Sequence, residues 1–247
     1  GVFLLGLLLP SWGYKIGFIL FAVVPLIALA PLLLLQDIRA EAKKSQWQEM
    51  RRAMVSITAL RIAGVWFAFN FIQGLMVGII PLQIKSTIGV LAIGILGGMF
   101  YIMPMLFAYV FGKFSDLRGR RGMITLMYAL SMAGVGLMFG ARTPAVLVIA
   151  ILLLAFNFGI SRTITFALVG DISTEQNVES LTALTWMMQI IAFVCALFLS
   201  VVLVGKWLYV VSLVSIGLSY LWFWPIARVP LAEVRARIAY DMKAREH

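Results

Sequence analysis

Long apolar runs, separated by short polar segments, follow one another along almost the whole chain. A helix needs about 20 mostly apolar residues to cross the hydrocarbon core of a bilayer. By this rule the sequence predicts seven complete membrane-spanning helices, at residues 16–35, 55–84, 90–111, 123–140, 145–169, 181–204 and 207–226. Residues 2–9 predict the end of one further, partial helix. The predicted fold class is therefore an all-α membrane protein.

Two polar segments divide this series of spans. Residues 36–54 form a long, mixed-charge linker, and residues 229–247 form a basic tail. In the tail, apolar residues recur at every third or fourth position, at Leu231, Val234, Ile238 and Met242. This spacing predicts an amphipathic helix, and basic helices of this kind lie along the membrane surface. We therefore expect its apolar face to contact lipid; a specific binding partner is the alternative.

Composition supports the membrane assignment, since 63% of the residues are hydrophobic and only 12% are charged. The net charge of +10 also has a membrane explanation. Fourteen Lys and Arg fall in one set of loops and four in the opposite set. The positive-inside rule places the first set in the cytoplasm. We therefore expect a multi-pass protein of a bacterial inner membrane, with residues 36–54, 112–122, 170–180 and the C-terminus cytoplasmic. Its expected environment is the lipid bilayer, and nucleic acid is not expected as a partner.

The residue types needed for catalysis are scarce. The chain has one cysteine, Cys195, and one histidine, His247. No nucleophile–base pair or metal-ligand set is recognisable, so neither an enzyme nor a cofactor or metal site is expected. No Asp or Glu lies inside a predicted span, which leaves no carboxylate there to carry protons. The chain begins at Gly1, within an apolar run and without a signal-peptide pattern, so we expect the natural N-terminus to lie elsewhere.

One polar turn, between the spans 90–111 and 123–140, carries an unusual pattern. Within ten residues it contains Gly112, Asp116, Gly119, Arg120 and Arg121. This G-x-x-x-D-x-x-G-R-R pattern resembles the loop signature of the major facilitator superfamily. In that family it joins the second helix to the third and, more weakly, the eighth to the ninth.

The resemblance implies an architecture for the whole chain. The sequence differs from the strongest copies of the family's loop signature at Leu117, where those copies carry a basic residue. The order of elements is similar to the end of helix five, helix six, the central loop and helices seven to twelve. The implied domains are the end of the N-terminal half, the central loop, a six-helix bundle of two inverted three-helix repeats and a tail, at residues 1–35, 36–54, 55–228 and 229–247. The remaining N-terminal half would be supplied by this chain or by a separate one.

The resemblance also implies that the turn is part of a cytoplasmic latch that is closed when the binding site faces outward. Arg120 and Arg121 can each bind a carboxylate, and Asp171 and Glu175 are candidate partners. Asp116, at a helix end, can accept hydrogen bonds from a neighbouring helix N-terminus. Static anchoring by positive charge is the alternative. The predicted latch consists of Gly112, Asp116, Gly119, Arg120, Arg121, Asp171 and Glu175.

Polar residues within the spans suggest a second site. Arg162 lies about 12 Å from the cytoplasmic end of its span, at 1.5 Å per residue. A charge at that depth usually faces a cavity or a partner, although the side chain could instead reach the membrane surface. In the resembled fold, helices seven, eight, ten and eleven line the central cavity, and most of the polar stripes fall on three of them. The predicted substrate-binding residues are Asn70, Gln73, Tyr101, Asn157, Arg162, Trp186 and Gln189.

The implied function is secondary active transport of a small solute by alternating access. An arginine without a carboxylate in the predicted cavity favours an anionic or amphiphilic solute. A transporter-like membrane scaffold, or an assembly subunit of a larger complex, is the alternative.

Overall fold

A computed structural model describes residues 51, 53–54, 56–174, 177–203 and 205–243, together with Ile19 and Val23. Within these residues, only the backbone is described at 91, 101, 118, 227, 242 and 243. The predicted partial helix 2–9, the predicted span 16–35 and most of the linker 36–54 lie outside the described residues.

All regular structure in the described part of the chain is helical. The elements are α1 (Ile57–Thr87), α2 (Val90–Arg118), α3 (Arg120–Gly140), α4 (Pro144–Ile172), α5 (Val178–Val202), α6 (Lys206–Ala227) and α7 (Leu231–Lys243). The first six are long and apolar enough to cross a membrane. Helices suit this environment because each one satisfies its own backbone hydrogen bonds where water is absent. The all-α fold is confirmed, and a long apolar helix lies at each of the six spans expected between residues 55 and 226.

The polar turn that follows the second of the six spans is shorter than predicted. Helix α2 continues beyond position 111 to Arg118, and α3 begins at Arg120, so the connection is Gly119 alone. Gly119 has a φ of 83°, a conformation that glycine adopts without steric cost. The apolar run is shorter than the helix because water can solvate helical turns that project beyond the bilayer. The predicted loop 112–122 is therefore wrong in length, although the reversal of the chain falls within it.

Helices α1 and α4 have the most contacts in the bundle. Helix α1 packs mainly on α5 and α6, whereas α4 packs mainly on α3 and α2. Helices α1 and α4 also contact each other, and α3 contacts α6. The core accordingly contains fully buried side chains from α1 and α4, including Leu75, Met76, Leu147 and Ile151.

Glycines bring helices unusually close at three of these contacts, one of which is at Gly134 of α3, where an added Cβ would lie 2.7 Å from Leu154 Cγ of α4. A Cβ added at Gly74 would lie 2.7 Å from Ala196 Cβ of α5, and one at Gly159 would lie 2.9 Å from Pro104 Cα of α2. Small residues allow such approaches, and close packing is a main source of helix association in lipid. Gly74 and Gly159 therefore help to set the distances of α1 from α5 and of α4 from α2.

Helix α7 packs against α4 and α1. Its apolar residues Val234 and Ile238 are buried in the protein, and the Ser56 hydroxyl donates a hydrogen bond of 2.7 Å to Asp241 Oδ2. The predicted amphipathic helix is present. The expectation that these two side chains contact lipid was wrong, because the end of the bundle provides an apolar protein surface for them. Arg235 and Arg237 remain exposed.

We predict that Gly159→Ala destabilises the protein relative to Gly136→Ala. The first change places a methyl group against the backbone of Pro104, whereas no atom lies within 4 Å of a Cβ at Gly136. Both changes raise helix propensity by a similar amount, so the difference isolates overpacking, which costs about 1–3 kcal/mol. Unfolding in mixed micelles measures it, and equal stabilities of the two variants would contradict the tight α2–α4 contact.

Candidate functional site

A polar cluster joins α2, α3 and α4 at one end of the bundle. Arg120 Nε donates a hydrogen bond to Asp171 Oδ2 at 2.7 Å. Its Nη1 donates to Asp116 Oδ1 and to Ser115 Oγ, both at 2.6 Å. We call these four residues the basic-end cluster, and the end that carries them the basic end. The turn at Gly119 makes the cluster possible, because it puts Arg120 beside the last turn of α2 and the last turn of α4.

The cluster contains part of the predicted latch. The expected contact between Arg120 and Asp171 is present. Asp116 accepts a hydrogen bond from the Arg120 side chain, not from a helix N-terminus. Arg121 donates to the Val229 carbonyl between α6 and α7, and none of its hydrogen bonds within the described residues goes to a carboxylate.

Two predicted latch residues, Gly112 and Glu175, remain. Gly112 lies beside Thr163 of α4, and a Cβ added there would be at an ordinary contact distance of 3.6 Å. The packing therefore does not require a glycine at this position. Glu175 lies outside the described residues.

The two ion pairs of Arg120 differ in how far water screens them. The Arg120 side chain is 16% exposed and Asp171 is 36% exposed, whereas Asp116 is 65% exposed. Exposed ion pairs contribute little to stability because water screens them. The pair with Asp171 is the better shielded one, and it links the start of α3 to the end of α4, 51 positions apart in sequence.

A second group of side chains joins α4 to α5 inside the span. Arg162 Nη1 donates to Gln189 Oε1 at 3.5 Å, a long hydrogen bond. One helical turn from each of these residues, the rings of Phe166 and Trp186 lie 5.9 Å apart. We call these four residues the α4–α5 site. Phe166 and Trp186 are 41% and 44% exposed, so their rings form part of the bundle surface.

The Arg162 side chain points away from the basic end. Its position is about 15 Å from Ile172, the last residue of α4, at 1.5 Å per residue. The guanidinium lies 5.2 Å from the ring of Phe158, one turn further from the basic end. The alternative that Arg162 reaches the nearer membrane surface is not the arrangement seen. The side chain is half-buried between an aromatic ring and an amide.

The other predicted binding residues are buried elsewhere in the bundle. Asn70, Gln73 and Asn157 are each less than one-tenth exposed. Asn70 Nδ2 donates to the Trp66 carbonyl of its own helix. Asn157 Oδ1 has no hydrogen-bond partner within the described residues. No hydrogen bond in that part of the chain joins these three residues to Arg162.

The predicted seven-residue site is therefore only partly brought together. Arg162, Gln189 and Trp186 share the α4–α5 site, whereas Asn70, Gln73 and Asn157 do not reach it. The side chain of Tyr101 lies outside the description. Phe166 also belongs to the α4–α5 site, but the sequence did not predict it, because Phe166 lies in an apolar run. Its position four residues after Arg162 was the available signal.

One tetrapeptide of the sequence occurs twice, once in α1 and once in α4. The sequence Ala-Phe-Asn-Phe occurs at residues 68–71 in α1 and again at 155–158 in α4. Asn70 and Asn157, which were selected separately as polar residues, are therefore at the same position in this repeat. Comparing the chain with itself would have revealed the relation.

Comparison of the chain with protein-family models and with curated proteins finds no match. The structure by itself defines the class: an all-helical protein whose six long apolar helices suit a multi-pass membrane protein. Among the residues described, no three His, Cys, Asp or Glu side chains are grouped so that they could hold a metal ion.

We predict that Arg120 and Asp171 are energetically coupled. A double-mutant cycle of Arg120→Gln and Asp171→Asn should give a coupling of about 0.5–1 kcal/mol, a value reduced by partial exposure. The same cycle with Asp116→Asn should give a smaller coupling, because Asp116 is more exposed. Lys113→Gln, an exposed change near the same end, is the control. Additive effects at Arg120 and Asp171 would show that the contact contributes no stability.

Proposed function

We propose that the protein is a secondary transporter of the major facilitator type, and that residues 55–228 form its C-terminal six-helix bundle. In this proposal the protein lies in a bacterial inner membrane and its basic end is cytoplasmic. The observation that carries the proposal is the relation between the first three helices of the bundle and the last three.

The helix contacts come in pairs that are related by exchanging α1 with α4, α2 with α5 and α3 with α6. The contact of α1 with α5 corresponds to that of α4 with α2, and the contact of α1 with α6 corresponds to that of α4 with α3. This is the pattern expected if α1–α3 and α4–α6 are two copies of one unit. Since each unit contains three spans, the second begins on the opposite side of the membrane from the first. An inverted repeat of this kind is a recurrent design of secondary transporters.

The amino-acid sequence supports the same pairing of helices. Residues 62, 63 and 68–71 of α1 are identical to residues 149, 150 and 155–158 of α4, at a constant separation of 87 positions. The close approaches at Gly74 and Gly159 also fall in corresponding contacts, α1 with α5 and α4 with α2.

The polar contacts at the two ends of the bundle correspond as well. At the end opposite the basic end, Gln83 Nε2 donates to the Met138 carbonyl at 3.0 Å. Gln83 Oε1 accepts a hydrogen bond of 2.7 Å from the Tyr209 hydroxyl. This contact joins the end of α1 to the start of α6, just as Asp171 and Arg120 join the end of α4 to the start of α3. Each end of the bundle thus has a polar contact between the two units.

Such a pair of contacts suits alternating access. The basic-end cluster would hold the cytoplasmic side closed, and the Gln83 contacts would hold the opposite side. The solute would bind near the midplane, between this bundle and an N-terminal counterpart in the same chain or in a separate one. The α4–α5 site, with its charge and its exposed rings, is the surface that would face the solute.

We predict that breaking the two contacts has opposite effects on access to the site. In a Cys195→Ala background, a single cysteine replaces the exposed Ile190 of α5. Asp171→Asn should increase its labelling by a membrane-impermeant maleimide from the cytoplasmic side, because Arg120 loses its shielded partner. Gln83→Ala should increase labelling from the other side.

Inside-out and right-side-out vesicles measure the two labelling rates, and Glu179→Gln, an exposed change, is the control. Equal labelling from both sides in all variants would contradict alternating access. That result, combined with stable co-purification of other subunits, would favour the scaffold alternative.

A further inference from the structure

We propose that the α4–α5 site binds an aromatic carboxylate. This inference rests on the proposed transport function and specifies its substrate class. It is carried by the way in which the site combines one cation, one amide and two exposed aromatic rings.

The electrostatics of the site favour an anion. Within the described part of the chain, no carboxylate lies within 4 Å of Arg162, and its hydrogen-bond partner is the neutral Gln189. A charge inside a span is costly unless it is paired or hydrated. A bound carboxylate would provide the missing countercharge, and a guanidinium can bind both of its oxygens.

The amide of Gln189 adds a further donor. Its Oε1 faces Arg162, so its Nε2 can donate to the same anion. A neutral carboxamide would offer the site no charge and an amide donor where an acceptor is needed. The polar half of the site therefore discriminates by charge.

The apolar half of the site has the form of a ring-binding surface. Phe166 follows Arg162 by one turn of α4, and Trp186 precedes Gln189 by one turn of α5. One turn is about 5 Å along the helix, a step comparable with that from a carboxylate to the second ring of a fused bicyclic aromatic acid. Tilted or edge-on contacts with such rings favour an aromatic ligand over an aliphatic one of similar size.

Trp66 of α1 packs behind this surface. Its ring lies 5.1 Å from that of Phe166 in an edge-on arrangement. Trp66 is itself buried, so it holds Phe166 in place and does not itself form the binding surface. The rings that a ligand can reach are Phe166 and Trp186.

Calorimetric titration of the full-length protein in lipid nanodiscs tests the proposal. The probes are 2-naphthoate, its neutral analogue 2-naphthamide, and the aliphatic anion cyclohexanecarboxylate. We expect 2-naphthoate to bind at least about tenfold more tightly than 2-naphthamide, as for a charge-assisted hydrogen bond. Equal binding of the acid and the amide would overturn the proposal.

Variants separate the two halves of the site. Arg162→Gln should weaken 2-naphthoate binding by about tenfold or more, whereas Arg142→Gln, in the exposed α3–α4 connection, should leave it unchanged. Trp186→Leu should weaken 2-naphthoate by about three- to tenfold and cyclohexanecarboxylate much less. Unchanged 2-naphthoate binding by Arg162→Gln would exclude this site even if the protein binds the anion.

A transport assay distinguishes failure of this inference from failure of the proposed function. If 2-naphthoate binds as expected but radiolabelled 2-naphthoate shows no counterflow in proteoliposomes, the binding class stands and transport fails. If a different solute is transported and 2-naphthoate neither binds nor competes, transport stands and the aromatic carboxylate is the wrong class.

Discussion

The close approach of α1 to α5, and of α4 to α2, is the constraint on which the rest of the bundle depends. Gly74 and Gly159 allow these approaches, because a larger residue would meet Ala196 or the backbone of Pro104. In lipid, apolar surface gives helices little reason to associate, so close packing has to specify the arrangement. Once α1 and α4 are placed, each also packs against one outer helix, α6 and α3 respectively.

Polar contacts complete this arrangement at its two ends. The Arg120 guanidinium ties three helices together at the basic end, and the Gln83 amide ties α1, α3 and α6 at the other. Both contacts lie near water, where an ion pair or a hydrogen bond can be exchanged for hydration at modest cost. A bundle with a tightly packed middle and exchangeable ends is suited to movement in which the helices remain intact.

The candidate binding site follows from the same geometry. Helices α4 and α5 are sequential but make few contacts with each other compared with their contacts to α2 and α1. Their facing side chains therefore bridge the two helices by a long hydrogen bond, between Arg162 and Gln189, and by the rings of Phe166 and Trp186. Because the neighbours of Arg162 in this site are neutral, they do not compensate its charge, and a negative partner would be favourable.

The sequence by itself determined the number and approximate positions of the spans between residues 55 and 226, because apolar length alone decides whether a helix can cross a bilayer. It also named Asp171 as one of two candidate partners for Arg120 and Arg121, since few carboxylates lie at the same predicted end, but it did not decide which arginine binds it. It wrongly predicted that Val234 and Ile238 contact lipid, because an apolar helix face has the same sequence pattern whether it contacts lipid or protein.

Only the tertiary structure decided which polar residues share a site. Asn157 and Arg162 are five positions apart on one helix, which places them on different sides of it. Of the two, Arg162 is hydrogen-bonded to α5, through Gln189. Phe166 became a site residue through its contact with Trp186, a relation that depends on how two helices face each other. Spacing along the chain determines the face of a helix on which a residue lies. The neighbour of that face is set by packing between residues distant in sequence, and the α1–α5 and α4–α2 contacts set it here.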